Sequence, residues 1–75
     1  MKNNKKAIIK FEKILELESD LFSTFNSYIN IGKCYYELGL NEIALNKFLN
    51  AKKLAEKEKN ASLINKADEF ISIIK

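Results

Sequence analysis

The chain has 75 residues, enough for one small domain whose core is marginal without close helix packing or association. Its 13 basic residues are all lysine and stand against 10 acidic ones, a net charge of +3 that calls for no polyanionic partner. With no histidine and a single cysteine, it lacks the commonest general base and transition-metal ligand, and it cannot build a disulfide framework.

There is no proline, and glycine occurs only at Gly32 and Gly39. Apolar residues recur at spacings of three and four along the chain, so the expected fold is all-α. Four helices are predicted, at about 2–18, 21–38, 41–59 and 62–75, within a single domain spanning 1–75.

In the first helix, Ala7, Ile8, Phe11, Ile14, Leu15 and Glu18 lie on one side, with lysines and glutamates opposite. Its apolar patch Ala7-Ile8-Ile9 is interrupted by Lys10, so it is not a secretory signal, and no apolar run approaches the ~18 residues of a membrane helix. Ser19, Asp20 and Ser23 are candidate caps for the second helix, and Leu21, Phe22 and Phe25 are apolar enough to plug the joint before it.

Tyr28, Ile31, Gly32, Tyr35 and Leu38 share one face of the second helix. Glu37-Leu38-Gly39-Leu40-Asn41 is a break. Gly39 suits the positive φ just past a helix end, Asn41 suits the N-cap that follows, and Glu42 sits near the positive dipole end. A connection this short makes the second and third helices adjacent and antiparallel. The third helix repeats the rhythm with Ala44, Leu45, Phe48, Leu49, Ala51, Lys52 and Ala55. A glycine inside a helix costs about 1 kcal/mol against alanine, so Gly32 implies close helix approach with a bulky ring beside it.

Lys57, Lys59 and Asn60 suit the end of the third helix. Asn60-Ala61-Ser62 is the next joint, and Leu63, Ile64, Ala67, Phe70, Ile71 and Ile74 form the stripe of the last helix. Ile73 widens that stripe, which predicts a neighbour supplied by another chain or by sequence beyond this one. The Met1 start inside an apparent helix likewise suggests a piece of something longer.

The series Tyr28, Ile31, Gly32, Tyr35, Gly39, Ala44, Phe48 and Ala51 resembles the tetratricopeptide repeat, a helix–turn–helix unit of about 34 residues. The resemblance implies one full repeat at 25–58, with Glu56 where the family has its final proline, so that the third helix is expected to run long. Ala7, Phe11 and Ile14 repeat the spacing of Ala44, Phe48 and Ala51, which makes 2–20 a partial repeat. The segment 61–75 is then a degenerate repeat or a capping helix. The implied architecture is a short superhelix of stacked antiparallel hairpins.

By the same resemblance, a groove lined by the first helix of the repeat would hold a protein or peptide partner through Asn26, Ile29, Asn30, Lys33, Tyr36 and Glu37. The Asn30 amide can pair with a peptide backbone, and Lys33 with a carboxylate. Tyr36 is either an aromatic platform or a half-exposed ring beside Tyr35.

No enzyme is expected, and no cofactor or metal. There is no phosphate-binding glycine loop, no histidine exists to activate Cys34, and the pairs Glu12/Glu16 and Glu56/Glu58 read as solvated. The alternative is a structural homo-oligomer formed through the first or last helix. A nucleic-acid surface at Lys2, Lys5, Lys6, Lys10 and Lys13 is disfavoured by the absence of arginine and by Glu12 and Glu16. Lys33/Glu37 and Lys52/Glu56 read as helix-surface pairs. A lone thiol without a signal fits a reducing cytoplasm.

Overall fold

The computed structural model describes residues 3–17 and 20–74. They form α1 (Asn4–Glu16), α2 (Leu21–Glu37), α3 (Asn41–Lys57) and α4 (Ala61–Ile74), with no strand among the described residues. The expected all-α fold is therefore present. The expected cap at Ser19, the stripe position at Glu18 and the outermost predicted helix residues at 2, 18 and 75 fall outside the described residues.

Three helices start on a polar side chain that accepts one of the unpaired first-turn N–H groups. The Lys6 amide donates to Asn3 Oδ1 at 3.1 Å, the Ser23 amide to Asp20 Oδ1 at 2.8 Å, and the Leu63 amide to Asn60 Oδ1 at 3.1 Å. Ser23 is thus a first-turn donor and not a cap. The start of α3 differs. Its flanking residue is Leu40, with no side-chain cap, and Asn41 is already the first helical residue. The turn before it explains the shift. The Leu40 amide donates back to the Tyr35 carbonyl at 2.9 Å, and the Gly39 amide to Tyr36 at 3.0 Å. This paired closure is a Schellman turn, with Gly39 in the left-handed region at φ 81°. Leu40 ends one helix and opens the next, which leaves no room for a separate cap residue.

The end of α3 has the same geometry. The Asn60 amide donates to the Ala55 carbonyl and the Lys59 amide to Glu56, each at 3.0 Å, with Lys59 at φ 54°. The helix stops at Lys57, two residues short of its expected end, because this turn closes it without a proline.

α2 lies between α1 and α3, while α4 packs along α3 and touches α2 only at its edge. The molecule measures 35 × 31 × 17 Å, and the thin dimension matches two layers of helices with axes about 10 Å apart. Two apolar clusters fill it. The larger joins Phe25 and Ile29 of α2 to Ala44, Phe48, Ala51 and Ala55 of α3 and to Leu63, Ala67 and Ile71 of α4. The smaller joins Ile8 of α1 to Ile31 and Cys34 of α2. Tyr35 packs against both. Leu21 and Phe25 fill the first joint as expected, but Phe22 does not: it is 59% exposed. Leu38 and Leu49 sit at the rims of their stripes and are also exposed.

Gly32 is buried where α2 crosses α3. A Cβ there would stand 2.6 Å from Phe48 Cε1 and 2.8 Å from Cδ1. Phe48 is itself buried, so its ring cannot swing into water to make room.

The two glycines should respond differently to substitution. Gly32→Ala should lower stability by about 1–3 kcal/mol in denaturant titration, although alanine is the better helix former. Phe48→Leu should cost less in that background than in the wild type, and a Gly32→Ala protein more stable than wild type would refute the contact. At Gly39 nothing lies within 4 Å of where a Cβ would stand, so only backbone strain opposes a side chain. Gly39→Ala should cost about 1 kcal/mol and Gly39→Asn less, because asparagine tolerates positive φ. Equal stabilities for the two variants would remove the strain explanation.

Candidate binding groove

The open side of α2 is narrow because neighbours cover most of its circumference. Phe25, Ile29 and Gly32 turn toward α3, and Ile31 and Cys34 toward α1. The exposed remainder is a stripe at Phe22, Asn26, Lys33 and Glu37, spaced by four, seven and four. Asn30, half-buried, stands on the shoulder nearer α1, and Tyr36 on the opposite shoulder.

Two clefts flank the stripe. One, of about 210 Å³, lies between α1 and α2, with Ala7 and Phe11 on one side and Asn30, Lys33, Cys34 and Glu37 on the other. The second, of about 220 Å³, lies between α2 and α4. Lys33, Tyr36 and Glu37 form its α2 wall, Phe48 its floor, and Phe70 and Ile73 its α4 wall. Lys33 and Glu37 belong to both clefts, as the ridge between them.

Of the six residues expected along the groove, Asn26, Asn30, Lys33, Tyr36 and Glu37 are at least partly accessible on this side. Ile29 is not. It is 3% exposed and belongs to the cluster facing α3. Its position, four residues after Phe25 and three before Gly32, turns it onto the packed face. Tyr36 is exposed and lines the second cleft.

Phe70 and Ile73 join the groove without being expected there from the sequence. The Phe70 ring stacks on Phe48 with centroids 5.3 Å apart and planes inclined by 23°. Lys33 Nζ lies 5.4 Å from the Phe70 centroid, within cation–π range. A continuous line of contacts thus runs from the Gly32 notch through Phe48 and Phe70 to the Lys33 ammonium. The aromatic at 70 is visible in the sequence; its place beside Lys33 depends on α4 lying across α3. Ile73, 57% exposed, lines the cleft at the same point.

A further contact joins α3 to α4. Lys52 Nζ is 2.8 Å from Asp68 Oδ1, so Lys52 reaches to the neighbouring helix and not only along its own toward Glu56. The hydrogen bond to Asp68 raises the Lys52 pKa first, the Asp68 charge second, and Glu56 adds a smaller increment.

In the α2–α4 cleft the base is apolar and Lys33 places a positive charge at the rim, whereas Asn30 lines the α1–α2 cleft and Asn26 stands on the exposed stripe. Among the described residues no three His, Cys, Asp or Glu side chains gather as metal ligands, and no helix is long and apolar enough to cross a membrane. No protein-family model matches the chain, and neither the curated proteins nor the solved structures include a match.

The Lys52–Asp68 pair generates a pH prediction. Because folding raises the Lys52 pKa, its contribution is complete below about pH 10.5 and fades as pH rises through the higher folded-state value. The stability difference between the wild type and Asp68→Asn should therefore shrink in strongly alkaline buffer, and in high salt at neutral pH. A difference that stays constant across both series would show that the pair does not hold α4.

Proposed function

We propose that this protein is a non-catalytic interaction module of tetratricopeptide type, which holds an extended protein segment across the groove between α2 and α4. The observation that carries the reading is the composition of that groove. A lysine, a tyrosine and a glutamate from one helix face a phenylalanine and an isoleucine from another, over a buried aromatic floor. Such a site is an apolar slot with polar groups at its lip, the usual design for orienting a side chain and its backbone.

Support for the repeat type comes from the hairpin. The helix order, the left-handed glycine at the turn and the Gly32–Phe48 approach are what the repeat pattern requires of residues 25–58. The homo-oligomeric bundle draws less support. Asn65, Lys66, Glu69 and Ser72 share the exposed side of α4, which would be the joining surface, with Ile73 as its one large apolar residue. The lysine-rich N-terminal segment gives nucleic acid no support beyond charge. A cytoplasmic setting accompanies this reading on the strength of the single cysteine.

The test is a selection of peptides from a random display library against the whole chain, followed by calorimetric titration. Selected peptides should carry an apolar residue near an acidic one. Ile73→Asp should weaken them by at least about tenfold, and Lys33→Glu should weaken the acidic ones similarly, with circular dichroism unchanged. Peptides that bind equally to both variants would place the site elsewhere.

A further inference from the structure

The two ends of the helix stack are unequal. Ala7, Phe11, Ile14 and Leu17 of the α1 segment stand thirty-seven positions before Ala44, Phe48, Ala51 and Leu54 of α3. On α3 the first three are buried and Leu54 packs against the core. On α1 the matching residues are only half-buried, and Leu17 is 79% exposed. The cause is coverage. α3 is flanked by α2 and α4, whereas α1 is covered by α2 alone. α2 lies on α1 through Ile31 and Cys34, much as α4 lies on α3 through Ala67 and Phe70. The side of α1 left bare is therefore the side that, on α3, receives α2.

Among the described residues of α1, the charges along the edge of that bare strip are lysines. Lys6, Lys10 and Lys13, all exposed, run along its edge at spacings of four and three, in line with Leu17. Glu12 and Glu16 face the other side of α1. Across the neighbouring cleft, α2 contributes Asn30, Lys33 and one acid, Glu37. A second copy meeting α1 across a two-fold axis would set lysines against lysines.

We propose that the bare side of α1 receives an acidic amphipathic helix from another protein, packed as α2 packs on α3. A small residue of that helix would face Phe11, as Gly32 faces Phe48, and its acids would meet Lys6, Lys10 and Lys13. This surface is separate from the α2–α4 groove, so each can fail alone.

The probe is a labelled synthetic helix with Phe, Ile, Gly and Tyr at the spacing of Phe25, Ile29, Gly32 and Tyr35, and glutamates on its flanks. Its control carries lysines in place of the glutamates. Fluorescence anisotropy at about 150 mM salt should show the acidic helix binding and the basic one not. Combined Lys6→Glu, Lys10→Glu and Lys13→Glu substitution should weaken binding at least about tenfold, and so should Leu17→Ser, with helicity unchanged because all four residues are exposed. Leucine in place of the probe's glycine should weaken it similarly, and Ile73→Asp should have no effect. No binding by the acidic helix would overturn the proposal, as would equal binding of the lysine control or of the charge-reversed protein. A dimer in sedimentation that Leu17→Ser dissolves would assign the strip to a second copy instead and overturn it equally.

Discussion

The ring of Phe48 set into the bare backbone at Gly32 determines how near α2 and α3 lie, and much else rests on that distance. Alanines at 44, 51 and 55 keep the rest of the α3 face low, so the one large side chain has the one deep notch. The contact does more than seal a hairpin. With one edge against α2, Phe48 offers its other side to Phe70, which fixes where α4 crosses. Lys33, the residue after the notch, then lies above Phe70. The core and the α2–α4 cleft share one row of side chains, and a change at Gly32 would reach the cleft as well as the core.

Much of this is legible in the residues because it depends on local rules. The glycine past the end of α2, the small–large alternation of Ala44, Phe48 and Ala51, and the four-helix division each follow from spacing and backbone preference. What spacing leaves open is decided by neighbours. An ordinary surface helix hides one face and shows the other, but α2 is flanked on two sides and shows only a thin stripe. On such a helix a one-position difference around the wheel separates groove from core, which is why Ile29 turns inward while Asn26 and Asn30 do not. Phe22 departs in the other direction, since an aromatic at a joint is expected inside and the open stripe of α2 begins at that position. Lys52 has an acid within reach on its own helix, yet it reaches Asp68, a residue whose nearness no local pattern announces.

The two described joints that follow α2 and α3 show how the same backbone can be specified in different ways. After α2 the left-handed position is glycine, and the next helix starts without a side-chain cap. After α3 the left-handed position is lysine, at a steric cost, and Asn60 compensates by capping α4. Each joint therefore has one favourable element and one unfavourable one, and both close the same pair of backbone hydrogen bonds. The shared geometry is more regular than the residues that make it.

That regularity explains why the two clefts differ in kind although they are built alike. Each has an aromatic from a lower helix at its base, Phe11 in one and Phe48 in the other, and each has α2 along one wall. They differ in how the helix bearing the aromatic is covered: α3 packs against both α2 and α4, α1 against α2. With α4 in place the aromatic floor is covered, Phe70 completes it, and the opening narrows to a slot that Lys33 and Tyr36 overlook. Without a matching helix beside α1, Phe11 stays half-covered. The slot has Lys33, Tyr36 and Glu37 at its lip, whereas the amide of Asn30 lines the first cleft. A bare strip on one helix suits another helix, which needs length and an apolar face but no lip of polar groups. The difference in what each can hold comes from coverage by one neighbouring helix, not from a difference in the aromatic at the base.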